Sequence, residues 1–185
     1  MALTKVIGSG IGTVTNQFAD ANMSAGSVLQ SKVAMLKVTA TQTANSFADV
    51  PSLSIDITPN SSNSIMILRM YLQGGSDASA AFRFWRQVAG GSAVIPNIPA
   101  TDGSREGVHA RIGRLPQNDS NHFSGAVSAV VTDEPSTTSV VTYKVQSKAQ
   151  NNETLYINRS ENYVNTADTY GTRTVCSLEV TEIAG

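Results

Sequence analysis

The chain has 185 residues, 41% of them hydrophobic, which is enough for one domain with an ordinary core and an appended segment. Only 15% are charged, below the roughly 25% of an average soluble domain, and the net charge is −1. Its eight arginines are scattered and no basic run interleaves with aromatics, so nothing electrostatic points to nucleic acid. No apolar stretch reaches 18 residues, so no transmembrane helix is expected. Solubility falls to 22 Ser, 18 Thr and 13 Asn, neutral groups that can face water on a strand, and this suits an all-β surface.

In chain order, residues 1–27 stand apart. They hold four glycines, few bulky side chains and no sustained period of 2 or 3.6. Alone they bury too little apolar area to offset the entropy of ordering, so this arm is expected to order only against another subunit. Leu3, Val6, Ile7, Ile11 and Phe18 are the candidate particle anchors, each able to fill a neighbour's pocket. Gly8–Gly12 lacks the following Lys-Ser/Thr, the strand and the helix of a phosphate loop. The N-terminus also lacks a signal peptide's sustained apolar region, so synthesis in a cytoplasm is expected.

From residue 28 the pattern becomes regular. Strands are expected over residues 28–39, 47–50, 53–58, 65–73, 80–88, 123–132, 140–147, 155–158 and 174–183. Between them lie turn residues, among them Pro51, Gly74-Gly75-Ser76-Asp77, Gly90-Gly91-Ser92 and Asp133-Glu134-Pro135-Ser136. The clearest alternation is late in the chain. Val141, Tyr143 and Val145 oppose Thr142, Lys144 and Gln146, and Cys176, Leu178 and Val180 oppose Ser177, Glu179 and Thr181. Eight or nine strands with several long connections predict an antiparallel β-sandwich, most naturally a jelly roll, over residues 28–185.

Two segments carry large side chains on both faces. In Ile65–Leu72, Ile65, Ile67 and Arg69 alternate with Met66, Leu68, Met70 and Leu72. In Phe82–Arg86, Phe82, Phe84 and Arg86 oppose Arg83 and Trp85. Such a strand is either central in a two-sheet core or covered by a subunit or a loop. Met66, Leu68, Met70 and Trp85 are therefore the candidate subunit interface. Residues 93–121 form the longest irregular stretch, with three prolines and three glycines. Its Arg105, His109, Arg111 and Arg114 are candidate recognition residues, offering donors to anionic sugars or protein carboxylates. The alternative is that the stretch simply covers the Trp85 face.

No chemistry-bearing motif stands out. His109 and His122 lack partners at metal-ligand spacing, no G-x-S-x-G occurs, and Asp77, Asp102, Glu106, Asp119 and Asp133 read as ordinary turn acids. Cys176, the lone cysteine, is expected to be a small buried hydrophobe. Five Asn-x-Ser/Thr triplets, at Asn22, Asn60, Asn118, Asn152 and Asn158, fall to composition. No cofactor and no catalytic residue are expected.

The stretches MALTKV…GSGIGTVTNQFADANMSAGSVLQ, TATQTANSFADVPSLSIDITPNSSNSIMILRMYL, TTSVVTYKVQSKAQNNETLYINRS and SLEVTEIAG resemble the virion proteins of tailed bacteriophages, cyanophages especially. The likeness is weakest over residues 93–121. It implies a non-enzymatic, tail-fibre-like or head-fibre-like component with a trimeric jelly-roll head of the tumour-necrosis-factor and complement type. It also implies self-association, other virion proteins of tail, portal region or capsid as partners, and host contact with a glycan or protein. It implies neither nucleic-acid binding nor membrane insertion. Two roles follow: a fibre knob whose arm seats it on the particle, or a capsid-decorating protein that clamps shell subunits. The arm spans at most about 90–95 Å extended, too short for a shaft.

Overall fold

Alternation fixes which side of each strand is apolar, and two such sheets hide that side by facing each other. The computed structural model describes residues 23–76, 79–113, 124–160 and 173–185, and in them only strands, turns and one short 3-10 turn occur. The strands are β1 (Val28–Leu36), β2 (Ala40–Gln42), β3 (Ala48–Ile57), β4 (Ile65–Ser76), β5 (Ala80–Val88) and β6 (Ala93–Val94). They continue with β7 (Ala110–Ile112), β8 (Gly125–Asp133), β9 (Val141–Ala149), β10 (Leu155–Ile157) and β11 (Cys176–Ile183).

All pairings are antiparallel. One sheet, here sheet A, runs β1-β11-β4-β8, with β10 and then β2 continuing beside the end of β4. The other, sheet B, runs β3-β9-β5, and β5 takes β7 and β6 on its free edge. Setting aside β2, β6 and β10, the first strand pairs with the last, the second with the seventh, the third with the sixth and the fourth with the fifth. That is one long antiparallel hairpin rolled around a core, a jelly-roll β-sandwich.

The core is the filling between the sheets. Sheet A supplies Leu36, Met66, Leu68, Met70, Leu72, Leu178 and Val180, and sheet B supplies Leu53, Ile55, Ile57, Phe82, Phe84, Val141, Tyr143 and Val145. Cys176 is among them, free and buried, and burial pushes its thiol pKa up. Asn158, in the left-handed region at φ 61°, is also buried. Its amide donates to the Leu36 and Val38 carbonyls and its Oδ1 accepts from the Cys176 thiol.

Three expectations need correction. Pro51 does not separate two strands. β3 passes through it as one strand with a bulge, Ser52 taking φ 60° and the register to β9 shifting between Asp49 and Ser54. Gly74-Gly75 are strand residues rather than a turn, because β10 pairs there so closely that a Cβ on Gly74 would lie 2.2 Å from the Tyr156 carbonyl oxygen. Asp133 is the buried last residue of β8, not a turn acid. It receives Arg86 Nη1 at 2.8 and 3.0 Å and the Tyr143 hydroxyl at 2.7 Å, so one carboxylate ties β8 of sheet A to β5 and β9 of sheet B.

Candidate functional site

The register of sheet B sets up its outward face. Lys148 of β9 lies opposite Ala81 of β5, Gln146 opposite Arg83 and Lys144 opposite Trp85. Phe47, just before β3, lies against the same face. The Arg83 guanidinium sits 3.9 Å from its ring centroid and the Lys148 ammonium 5.8 Å away. Glu106 approaches from the 95–109 connection and accepts Lys148 at 2.9 Å, with Arg83 at 4.0 Å. Burial and Glu106 act oppositely on Arg83, whose pKa is lowered on balance by burial. Further along, Lys144 stands 4.7 Å over the Trp85 ring and donates to Asp49 at 2.7 Å. Burial alone would raise the Asp49 pKa, but the bonds from Lys144 and Gln146 and the Lys144 charge hold it below its ordinary value.

At the β7 end of this face a cleft of about 380 Å³ opens. Its walls include Asn45, Ser79, Glu106, Arg111, Lys148 and Gln150, with Ala80, Ala81 and Val108 at its apolar side. Arg111 is exposed on β7, and its Nη2 donates to Ser79 Oγ at 2.8 Å.

The sequence candidates scatter. Arg111 lines the cleft. Arg105 instead closes a tight turn with Asp102, their 2.6 Å ion pair being 82% and 79% exposed, so it stands in solvent. His109 is a structural clamp, which corrects its place among recognition residues. Its Nδ1 accepts from the Phe84 amide at 3.1 Å, its Nε2 meets the Pro96 carbonyl at 2.8 Å, and its ring packs edge-on against Phe84. Burial lowers its pKa against the opposing pull of the Pro96 carbonyl, and the Arg83 charge lowers it further. Arg114 lies outside the described residues, as do His122, Asp77, Asp119 and the arm residues Leu3, Val6, Ile7, Ile11 and Phe18.

Met66, Leu68 and Met70 are 0%, 0% and 2% exposed in the domain's own core, so they form no subunit interface. Trp85 is half-buried on the outside of the opposite sheet and shares no surface with them. The open face of β4 is the other one, Ile65, Ile67, Arg69 and Tyr71. Across sheet A, Val33, Glu179, Arg69 and Val130 form one row, and Met35, Ser177, Tyr71 and Ser128 the next. Val33, Met35, Tyr71 and Val130 are exposed there around a single 3.0 Å ion pair, Arg69–Glu179.

Among the described residues no group of His, Cys, Asp or Glu is placed to hold a metal ion, and no helix is long and apolar enough to cross a membrane. The fold therefore defines a jelly-roll β-sandwich with two dissimilar outer faces, one where exposed valines, Met35 and Tyr71 are interspersed with small polar groups and one where ion pairs lie over aromatic rings.

No protein-family model and no curated protein matches the chain. Among solved structures it is similar to a chain in a structure of infectious bursal disease virus, Gx strain, at 10% identity and a TM-score of 0.36 over 86% of this chain and 39% of that one. It is also similar to a chain of an infectious bursal disease virus VP2 subviral particle, at 8% identity and a TM-score of 0.33 over 84% and 40%. The chain thus spans about two fifths of the length of each neighbour, and at these scores the likeness assigns no function.

Proposed function

We propose that this chain is a non-enzymatic structural protein of a tailed-phage particle, a trimeric knob seated through residues 1–27 with its β head towards the host surface. The observation that carries the reading is the asymmetry between the two outer faces. Sheet A presents exposed Val33, Met35, Tyr71 and Val130 around the Arg69–Glu179 ion pair, with only small hydroxyl side chains such as Ser128 and Thr132 between them in the described rows, a surface that an assembly can cover at little desolvation cost. Sheet B presents Arg83, Lys144 and Lys148 laid over Phe47 and Trp85, a polar surface suited to outward contacts. Closing three copies through their A faces would bury the apolar rows and leave the B faces outermost. The sequence resemblance to phage virion proteins supports the setting, with synthesis in the host cytoplasm.

Sedimentation equilibrium of the full chain at micromolar concentration tests the assembly. Three times the chain mass is expected, and one chain mass for Val33→Asp combined with Val130→Asp, with the circular dichroism of the sheet retained. A monomeric parent chain overturns the trimer. Gold-labelled protein located on intact particles by electron microscopy tests the seat. Label at the tail or portal region supports the knob, and label spread over the shell replaces it with capsid decoration.

A further inference from the structure

We propose that the cleft between β7 and the connection leading into β3 binds the carboxylate of an acidic sugar, with Arg111 as its principal anchor. Size sets the first limit. About 380 Å³ falls at the small end of ligand sites, which run from roughly 300 to 1,000 Å³, and suits one sugar ring better than a peptide segment.

Charge sets the second. Arg111 and Lys148 line the cleft and Arg83 flanks it through Glu106, so three cations stand against one carboxylate among the described residues. Glu106 is already engaged by Lys148, whereas among the described residues Arg111 meets the neutral Ser79 hydroxyl and no carboxylate. A guanidinium held at one edge still presents parallel N–H donors, the arrangement that grips a planar carboxylate in a bidentate way. A neutral ligand would leave this excess charge without a role.

The remaining walls choose among anions. The exposed Asn45 and Gln150 amides offer both donors and acceptors, which match ring hydroxyls. Ala81 and Val108, both part-exposed, offer an apolar patch for the C–H side of a ring. Phe47 holds Arg83 against its ring, and Glu106 fixes Lys148, so part of the cationic wall is ordered before anything binds. Ordering in advance lowers the entropic cost of capture.

The biological setting of this site rests on the reading above that the head contacts a host surface. The binding itself needs only the soluble chain. Titration of the full chain with methyl β-glucuronide, methyl β-glucoside and inorganic phosphate, followed by calorimetry or by amide shifts, tests it. Saturable glucuronide binding with Kd about millimolar is expected, with the glucoside and phosphate each about tenfold weaker or worse. Arg111→Ala should weaken the glucuronide about tenfold or more with an unchanged denaturation midpoint, and Arg111→Lys should fall between, having lost the planar fork. The site is overturned if the glucuronide does not bind, if the glucoside or phosphate binds as tightly, or if Arg111→Ala leaves the Kd unchanged. A monomeric chain that still binds glucuronide refutes the trimeric knob and leaves the site standing. A particle-borne trimer that ignores it refutes the site alone.

Discussion

Replacing Asp133 tests whether the sandwich is held at one end by a buried charge network. The Arg86 and Asp133 side chains are 14% and 8% exposed, their ion pair is 2.8 Å long, and the Tyr143 hydroxyl adds a 2.7 Å bond to the same carboxylate. Asp133→Ala leaves the Arg86 charge nearly enclosed and the buried tyrosine hydroxyl without its acceptor. Breaking one partner of a buried pair costs about 3–5 kcal/mol. Arg86 keeps slight access to water, so a total of about 4 kcal/mol is expected, with the stranded hydroxyl included. For a domain of this size that lowers Tm by about 8–16 °C. Tyr143→Phe removes only the hydrogen bond and should cost about 1.5–3 kcal/mol.

The decisive comparison adds Arg86→Met to Asp133→Leu. With both charges gone no desolvated ion remains, and apolar replacement of a buried pair is often neutral or better. Arg86 Nε is moreover buried with no hydrogen-bond partner among the described residues, so the parent network already carries an uncompensated donor. Urea denaturation, with unchanged m-values as the check on two-state behaviour, gives the four free energies of the cycle. The double variant should be at least about 2 kcal/mol more stable than Asp133→Leu alone. Equal stabilities, or an Asp133→Ala cost below about 1 kcal/mol, would refute the argument that the pair is desolvated and coupled.

Glu182→Ala should cost about 3 kcal/mol in the same assay, because this fully buried carboxylate accepts from the Asn60 amide, Ser64 Oγ and Gln30 Nε2, each at 2.6 Å. A loss below about 1 kcal/mol would show those donors finding water. Cys176→Ala should cost on the order of 1 kcal/mol and native protein should resist thiol reagents, since the sulfur is enclosed and bonded to Asn158; rapid labelling would contradict this. The His109 pKa is depressed below its ordinary 6.5, so its contribution is full above pH 6.5 and is lost as pH falls through the folded value. The slope of stability below the ordinary value of 6.5 should therefore flatten in His109→Gln. Burial, then the Asp133 charge and bond, raise the Tyr143 pKa, so its contribution is intact below its ordinary value of 10.0 and declines above it. Tyr143→Phe should lose that alkaline decline relative to the parent chain.

Much of the fold was legible because period-2 alternation depends on nearest neighbours only. The inward residues of β9 and β11 follow it without exception, and so does the sandwich class. The same parity carries two further signals. Counting on from Cys176, Leu178 and Val180 puts Glu182 inside, and the shared face of Phe82 and Phe84 puts Arg86 inside. An inward charge requires a buried partner, so Arg86 already demanded an acid, and Asp133, read from the sequence as a turn residue, is the one that meets it. Two-sided apolarity in β4 misled for a related reason. It says that both faces avoid water, not which one the second sheet covers, and Met66, Leu68 and Met70 proved to face the core.

The cleft was less legible, for a geometric reason. Asn45, Ser79, Glu106, Arg111 and Lys148 come from five separate segments, and what joins them is cross-strand register. Ala81 opposes both Lys148 and Arg111, so β5 carries β9 on one edge and β7 on the other and brings two distant cations to one end of sheet B. Periodicity assigns a residue to a face, but only pairing assigns it neighbours. His109 and Arg111 show the difference, since both sit two residues apart in one irregular stretch with equal promise as donors. The Phe84 amide and Pro96 carbonyl occupy the two nitrogens of the histidine and make it a pin for the connection, while the arginine, two residues further along the same edge of β5, donates among the described residues to Ser79 alone. Among the described residues, the candidate site is therefore what remains when hydrogen bonds that hold the fold are subtracted from the polar groups at that end of the sheet, and Arg111 is the cation left over there.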